Sequence, residues 1–347
     1  MRAWRVHRYG SPTEALRLDD VPLPEPGSRE VRVRSIATTL NYNEIDGCRG
    51  RYLTVNPPLP YVLGMEVLGV VDALGAGVGD GWLGRRVVAT AAGAFGAHAE
   101  YVIAPVDVTF DAPPSLDDAT AAAFFFPFHL AHLGLHERGR LAASETVLVH
   151  AGAGGVGSAA VQLAAAAGAR VLATAGGERK TALCRELGAD VAIDYRSTDF
   201  VDAVTDATGG RGVDLVFDGV GGDVGQRSLR CLSRNGRYMI VGFASGIEAE
   251  DVATITPRTL CFGNFSVGGV LLSYASDEVE ARRLSGFNLT PRSVGDAVHA
   301  ELTALVADGT IRPVVGRTVA FEDLPLALEE MEDRRTIGRT VVKVGGV

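Results

Sequence analysis

Apolar and polar positions follow two rhythms along this chain, and the change between them falls near residue 145. Before it, Val31-Arg-Val-Arg34 alternates with a period of two, and 67–71 and 86–89 are short apolar runs between glycine-rich turns. That pattern predicts strands with one buried face. Pro22-Leu-Pro-Glu-Pro-Gly27 reads as a turn or linker. After residue 145, the apolar runs 146–149, 170–174, 191–194, 214–217 and 238–241 are separated by helical stretches. Strand and helix in alternation predict a parallel, doubly wound α/β sheet. The run 265–272 is a candidate sixth strand. From Asp296 the pattern predicts a helix over 297–306, a turn at Asp308-Gly309, a helix near 324–332 and a last strand over 339–344. No solenoid-type repeat is present.

The first strand of the second region runs directly into Ala151-Gly152-Ala-Gly154-Gly155-Val156-Gly157. Gly152, Gly154 and Gly157 have the spacing G-x-G-x-x-G. Such a spacing arises by chance in a glycine-rich chain, but here a buried strand precedes it and an alanine-rich helix follows, the context of a dinucleotide-binding turn. Gly152 is expected to permit the tight turn, Gly154 to admit a pyrophosphate to the backbone, and Gly157 to let helix and strand pack closely. Gly155 and Val156 lie just before the helix expected over 158–167, whose N-terminal N–H groups and dipole favour phosphate.

The second strand bears on which dinucleotide. It ends Thr174-Ala175-Gly176-Gly177, where an NAD site would place a carboxylate for the ribose 2′-hydroxyl. The first carboxylate after it is Glu178, and Arg179 and Lys180 follow directly. Cations without that carboxylate suit a 2′-phosphate, so NADPH is the expected cofactor. The alternative is that Arg179 and Lys180 are ordinary solvated charges on a first helical turn.

Composition narrows the picture further. A chain of 347 residues, 47% apolar and 22% charged, is long enough for two globular domains. A net charge of −9 argues against a nucleic-acid or anionic-membrane surface. The N-terminal segment lacks the apolar core of a signal peptide, and no apolar run approaches ~18 residues. Cys48, Cys184, Cys231 and Cys261 are scattered and form no C-x-x-C pair, which predicts reduced thiols, a cytoplasmic protein and no structural zinc. His129, His132 and His136 have i, i+3, i+7 spacing and would share one helix face. A metal site is conceivable there, but with no further ligand indicated they read as ordinary helix histidines.

Several segments together now resemble the medium-chain dehydrogenase/reductases, and within them the zinc-free quinone oxidoreductase group. They are Pro60-Tyr-Val-Leu-Gly-Met-Glu66, the glycine motif, Gly188-Ala-Asp-Val-Ala-Ile-Asp-Tyr-Arg196, Asp214-Leu-Val-Phe-Asp-Gly-Val-Gly221 and Asp308-Gly-Thr-Ile-Arg-Pro313. The resemblance implies a Rossmann nucleotide domain (125–269) inserted in a β-rich GroES-like catalytic domain (1–124 and 270–347), with the active site in the cleft between them. Zinc alcohol dehydrogenases of the superfamily carry a cysteine near Asn41 and a histidine where Met65 stands. Without those ligands no metal is expected, since zinc requires three or four at close range.

Zinc-free chemistry of this kind is hydride transfer to a small molecule, a quinone or the conjugated C=C of an α,β-unsaturated carbonyl. The segment 41–52 resembles the family pattern Asn-x-x-Asp-x5-Gly-x-Tyr, with Glu44 where Asp is usual. The resemblance places Asn41 beside the nicotinamide and puts Tyr52 where related enoyl reductases hold a proton-donating tyrosine. A tyrosine hydroxyl is a neutral donor at pH 7, although an aromatic wall is the equal alternative for Tyr52. It further implies that Lys180 meets the 2′-phosphate and Tyr195 lies against adenosine. Gly242, Phe243 and Ala244 would border the nicotinamide ribose, and Val267, Gly268 and Gly269 its carboxamide. Gly177 stands where the family often has Ser or Thr, and Arg179 is a candidate replacement for that phosphate bond. The sixth strand, at the sheet edge, implies a homodimer. Two other readings remain: an enoyl-thioester reductase, with Arg49, Arg51, Arg282 and Arg283 meeting an acyl-carrier phosphate, and a non-catalytic NADPH-binding sensor or structural protein.

Overall fold

A computed structural model describes residues 1–51, 57–245 and 255–345, and Tyr52 lies outside them. The chain divides into two compact units. One comprises Met1–Phe125, Ser273–Ala307 and Pro313–Val347; the other comprises Phe126–Leu272 and Asp308–Arg312.

The second unit is built on a six-stranded parallel sheet. Its order is Val191–Asp194, Arg170–Ala175, Thr146–Val149, Val213–Asp218, Leu232–Ile240, Ser266–Gly269. Thr146–Val149 is central and buried throughout, as its unbroken apolar character requires. Leu148, Leu172 and Val216 lie abreast on three neighbouring strands and join one core with Ile193, Val204, Val213 and Tyr238. Helices Gly155–Ala166, Glu178–Glu186, Phe200–Ala207 and Gly222–Ser228 connect the strands. This is the doubly wound Rossmann arrangement, whose strand order reverses between Thr146–Val149 and Val213–Asp218.

Two strands of this sheet differ from their sequence expectation. The fifth strand begins at Leu232 rather than 238. The polar Ser233-Arg-Asn-Gly236 reads as a turn, and Asn235 does take a left-handed φ of 65°, yet Asn235 donates its N–H to the Asn264 carbonyl and extended backbone surrounds it. The sixth strand is confined to Ser266–Gly269.

The first unit carries a seven-stranded sheet. Along its main path the order is Val315–Ala320, Arg339–Lys343, Glu30–Thr39, Glu66–Leu74, Arg86–Thr90, Thr109–Asp111, with Tyr101–Pro105 also paired to Glu30–Thr39. Val31 and Val33 are fully buried beside partly exposed Arg32, which is the predicted alternation. A smaller sheet joins Leu16–Asp20, Arg2–Val6 and Tyr61–Val62. Helix Leu324–Glu332 packs Leu324, Ala327 and Leu328 into a core with Trp4, Ile45 and Phe321. Helix Arg292–Ala307 starts five residues before its expected position. Its first turn is polar and hides the pattern, but Arg292 pairs with Asp296 across that turn at 2.8 Å.

Candidate active site

Because the sheet of the second unit is parallel, the loops that follow its strands emerge along one edge. That edge carries most of the residues singled out in the sequence. The glycine loop is the first of them. Its left-handed residue is Ala151 (φ 52°), not Gly152. Gly152 is small for a different reason: a Cβ there would lie 2.9 Å from the Ala173 Cβ and 3.0 Å from the Cys184 sulfur. The tight-turn role expected for Gly152 therefore passes to Ala151, and Gly152 serves packing. A Cβ on Gly157 would stand 2.1 Å from the Ala151 carbonyl oxygen, so the close approach assigned to Gly157 is a backbone contact. Gly154 is the N-cap of Gly155–Ala166, and no side chain caps that helix. The first-turn N–H groups of Gly155, Val156 and Gly157 are therefore presented beyond the helix.

The second strand ends next to this loop: the Gly152 N–H donates to the Thr174 carbonyl at 2.9 Å. Gly177 then adopts φ 87° as N-cap of Glu178–Glu186, a conformation that favours glycine. A carboxylate does approach here, from the third strand. Asp194 is level with Ala175, and its Oδ1 accepts the N–H groups of Gly177 (2.9 Å) and Arg196 (3.0 Å). Those two bonds hold its pKa below the usual range and occupy the carboxylate with backbone.

Beyond Asp194, two side chains fold back over the glycines. A Cβ on Gly176 would meet the Tyr195 hydroxyl at 2.7 Å and Arg196 Nε at 3.0 Å. Arg196 Nη1 lies 3.6 Å from the corresponding point on Gly177. Arg196 forms no ion pair among the described residues, whereas Asp199 next to it pairs with Arg227 at 2.5 Å. Lys180 is half-buried and Arg179 is exposed. Tyr195, Arg196, Phe200, Val224 and Arg227 line a cavity of about 390 Å³, a volume within the usual range for a small-molecule site. Arg196 escaped sequence reasoning because the nearness of the third strand's end to Gly176 is a property of the sheet.

The fifth strand's loop completes the edge. Ala244 and Ser245 donate their N–H groups to the carbonyls of Gly219 and Val220 at 3.0 and 2.9 Å. Asp218, fully buried, accepts the N–H groups of Val220 (2.7 Å) and Gly221 (3.2 Å) and the Tyr238 hydroxyl (2.5 Å). Gly242 and Phe243 lie in this turn, with Phe243 exposed. Val267, Gly268 and Gly269 form the edge strand, and a Cβ on Gly268 would come within 2.8 Å of the Met239 methyl.

In the first unit, Asn41 belongs to a buried polar network. It is the N-cap of helix Tyr42–Arg49, in a capping box with Glu44. Its Oδ1 accepts from Arg339 Nη1 at 3.0 Å, and its Nδ2 donates to the Thr39 carbonyl at 3.2 Å. Arg339 Nη2 bonds both Thr39 Oγ1 and Glu66 Oε1. Glu44 accepts the Met65 N–H at 3.1 Å and meets His98 Nε2 at 3.0 Å, and His98 Nδ1 meets Thr38 Oγ1 at 2.9 Å. Burial pushes the Glu66 carboxyl up against the opposing pull of Arg339. Burial also pushes the Cys48 thiol up to about 12.

Among the described residues no group of three or more His, Cys, Asp or Glu is placed to hold a metal ion. The three helix histidines do not follow one α-helical face, because the helix becomes a π-helix over Leu133–Arg138. The His132 and His136 rings lie 4.8 Å apart, and His129 is fully buried. The arginines considered for an acyl-carrier phosphate are mostly matched already: Arg49 with Glu332 (2.7 Å), Arg51 with Asp46 (3.1 Å), Arg283 with Glu280 (2.5 Å). No helix among the described residues is long and apolar enough to cross a membrane.

Comparison with known proteins fits both units. Residues 27–114 match the family model for the alcohol dehydrogenase GroES-like domain, and residues 155–285 match that for zinc-binding dehydrogenase. Rat quinone oxidoreductase is 31% identical over 332 residues, 95% of this chain and 94% of that protein. The chain belongs to the medium-chain dehydrogenase/reductase superfamily, in its quinone oxidoreductase-like group. A 2-haloacrylate reductase from a Burkholderia species is also 31% identical, over 97% of both chains. The solved structure of Escherichia coli quinone oxidoreductase complexed with NADPH superposes with a TM-score of 0.87 at 29% identity, over 99% of this chain and 100% of that one. The second family description speaks of zinc, and the residues it matches, 155–285, include neither Asn41 nor Met65, the two positions at which the sequence resemblance led us to expect missing zinc ligands.

Proposed function

We propose that this chain is an NADPH-dependent oxidoreductase that reduces a quinone or the conjugated C=C of an α,β-unsaturated carbonyl. The cofactor half of the reading is carried by one observation. At the end of the second strand, Asp194 is taken up by backbone N–H groups, while Arg196, with no ion-pair partner among the described residues, lies over Gly176 and Gly177. An NAD ribose would find the Asp194 carboxylate already engaged, and a 2′-phosphate would find a guanidinium able to bond it twice.

The residues fit the cofactor along its length. The uncapped helix start at Gly155, Val156 and Gly157 holds the pyrophosphate, with Gly154 keeping a side chain out of its way and Gly152 letting the loop pack on the core. Arg196, Lys180 and Arg179 hold the 2′-phosphate, and Tyr195 covers the adenosine at the mouth of the 390 Å³ cavity. Thr174, Gly176 and Gly177 form the floor beneath the ribose. Gly242, Phe243 and Ala244, with Val267, Gly268 and Gly269, receive the nicotinamide end.

NADPH, when bound, supplies the hydride; a proton completes the two-electron reduction. The protein's part is to orient the acceptor, exclude water and place that proton. For a quinone, hydride and proton give the hydroquinone, whose oxygens water can protonate. For an enone, hydride on the β-carbon leaves an enolate whose α-carbon takes a proton, and Tyr52 is the assigned donor. The Arg339 bond fixes the orientation of the Asn41 amide, the residue to which the family resemblance gives a place beside the nicotinamide. Quinone oxidoreductases and a 2-haloacrylate reductase among the relatives support both acceptor types.

The test is a fluorescence titration of NADPH and NADH against wild type, Arg196→Ala and Lys180→Ala, followed by turnover on quinones, short enones and enoyl thioesters. Each lost charge-assisted bond should weaken NADPH by ~1.5–3 kcal/mol, or roughly 10–100-fold, and leave NADH unchanged. Equal wild-type affinity for the two cofactors refutes the cofactor assignment. Binding with no turnover on any acceptor favours the sensor reading.

A further inference from the structure

His150 is the last residue before the glycine loop, fully enclosed, and has no role in the chemistry above. Both its ring nitrogens are nonetheless committed. Nδ1 lies 3.0 Å from Thr174 Oγ1, at the end of the second strand, and Nε2 lies 2.7 Å from Ser228 Oγ, at the end of helix Gly222–Ser228. The direction of each bond follows from the hydroxyls. Ser228 Oγ donates its single proton to the Val224 carbonyl at 2.6 Å. It can therefore only accept from His150, which fixes the neutral Nε2–H tautomer. Nδ1 is then an acceptor, and the Thr174 hydroxyl donates to it.

These bonds reach the wall of the cavity beside Tyr195. The edge of the His150 ring meets Phe200 at 5.0 Å and 81°, and Arg227 stacks on Phe200 at 4.7 Å while pairing with Asp199. Phe200, Val224 and Arg227 all line the cavity. Helix Gly222–Ser228 has only seven residues and no side-chain cap at its start. A helix that short does not hold itself and relies on its anchors. Its anchor on the glycine-loop strand is the bond from His150 to Ser228.

We infer that His150 is a positioning residue that locks the cavity wall formed by Val224 and Phe200 to the glycine loop, so that the adenosine and pyrophosphate sites keep one fixed spacing. The inference rests on the NADPH reading. The probes are NADPH and adenosine 2′,5′-bisphosphate, which carries the adenosine half alone. Ser228→Ala removes the acceptor and leaves His150 in place. His150→Phe keeps the ring against Phe200 and loses both bonds. His150→Gln keeps a donor toward Ser228, whereas His150→Asn keeps only an acceptor toward Thr174.

Calorimetry on the full-length protein should show about tenfold weaker binding of both probes for His150→Phe, as expected for two lost buried bonds. Ser228→Ala should lose severalfold, and His150→Gln should retain more affinity than His150→Asn. With saturating NADPH, kcat should stay within about twofold of wild type, so that the effect falls on KM. If His150→Phe does not fold, Ser228→Ala and the Gln–Asn comparison decide. Affinities of Ser228→Ala and of the folded His150 variants all within twofold of wild type, or a loss in kcat equal to that in kcat/KM, overturn the inference. A wild type that binds neither probe overturns the NADPH reading instead.

Discussion

Replacing Arg339 by methionine would test whether the network around Asn41 is held by its charge. Arg339 and Glu66 are both buried, with side chains 7% and 4% exposed. Glu66 Oε2 and Arg339 Nε have no hydrogen-bond partner among the described residues, so the pair depends on the bonds that remain. Arg339→Met removes the guanidinium from Asn41 Oδ1, Thr39 Oγ1 and Glu66 Oε1 together and leaves a buried carboxylate unmatched. Breaking such a pair costs ~3–5 kcal/mol. With a urea m-value near ~3 kcal/mol/M, the midpoint of the unit's transition should fall by roughly 1–1.7 M. Adding Glu66→Leu removes the stranded carboxyl, and the double variant should recover most of the loss, since an apolar replacement of both partners is often neutral. What it cannot recover is the bond to Asn41, about 1 kcal/mol. Acid should help the single variant. Without the guanidinium, burial raises the folded Glu66 pKa further above its unfolded value of about 4.3, so the folded state holds a proton that the unfolded state has lost. Stability is then greatest at low pH and falls as pH rises through the folded pKa, by up to ~1.4 kcal/mol per pH unit. Urea denaturation at pH 5.5 and 8 on the four proteins of the cycle reads both effects. A single variant within 1 kcal/mol of wild type on this ~3–5 kcal/mol scale, or strictly additive losses, would refute the reasoning.

Tyr52→Phe should lower the enone rate by ~10²–10⁴-fold, the range for a lost general acid. NADPH affinity and quinone turnover should change little, and stopped-flow comparison of the two acceptors in one variant checks this. The edge strand Ser266–Gly269 lies among exposed Phe262 (81%), Val267 (36%) and Leu271 (50%), and such an edge tends to find a partner. Light scattering should give a homodimer at micromolar concentration, converted toward monomer by Leu271→Glu. Burial lowers the pKa of both His150 and His299. An unfolded histidine takes a proton near pH 6.5 while the folded ones do not, so stability should fall as pH drops from 7 toward 5.5. The slope is at most ~1.4 kcal/mol per pH unit for each histidine, and a flat urea midpoint across that range would contradict it.

Much of the nucleotide unit was legible because its signals are local. A fully apolar strand such as Thr146–Val149, a glycine loop and an alanine-rich helix each follow from neighbours in sequence. The misses share a different cause. The carboxylate sought after Thr174 arrives from Asp194, and the guanidinium from Arg196, because parallel pairing sets Ala175 beside Asp194. That register is invisible in composition or period. Likewise Gly152 is required by Ala173 and Cys184 across the core, not by its own backbone angle. The π-helix at Leu133–Arg138 overrode the i, i+3, i+7 expectation where Gly134 packs on Phe217, a contact a Cβ would block at 2.6 Å. In the first unit the Asn41 segment could be aligned by resemblance, but its tie to Arg339, almost the whole chain away, could not be read from spacing.

The order in which the ribosome releases this chain gives the pairing of Arg339–Lys343 a further meaning. That strand lies inside the seven-stranded sheet, between Val315–Ala320 and Glu30–Thr39. Val341 aligns with Thr39, so one of the earliest strands synthesised waits for one of the last. Until then the 37–39 end of Glu30–Thr39 keeps an unpaired flank, and Glu66 has no Arg339 to meet. The second unit completes earlier, when Asp308–Arg312 emerges and Gln162 closes on both polar groups of the Arg312 backbone at 2.8 and 3.0 Å. A chain released at residue 330 would therefore carry a finished nucleotide unit and an open sheet that exposes strand edges and a buried acid without its partner. Truncation before Arg339 should thus yield an aggregating product rather than a shortened enzyme, with chaperones engaging the open sheet.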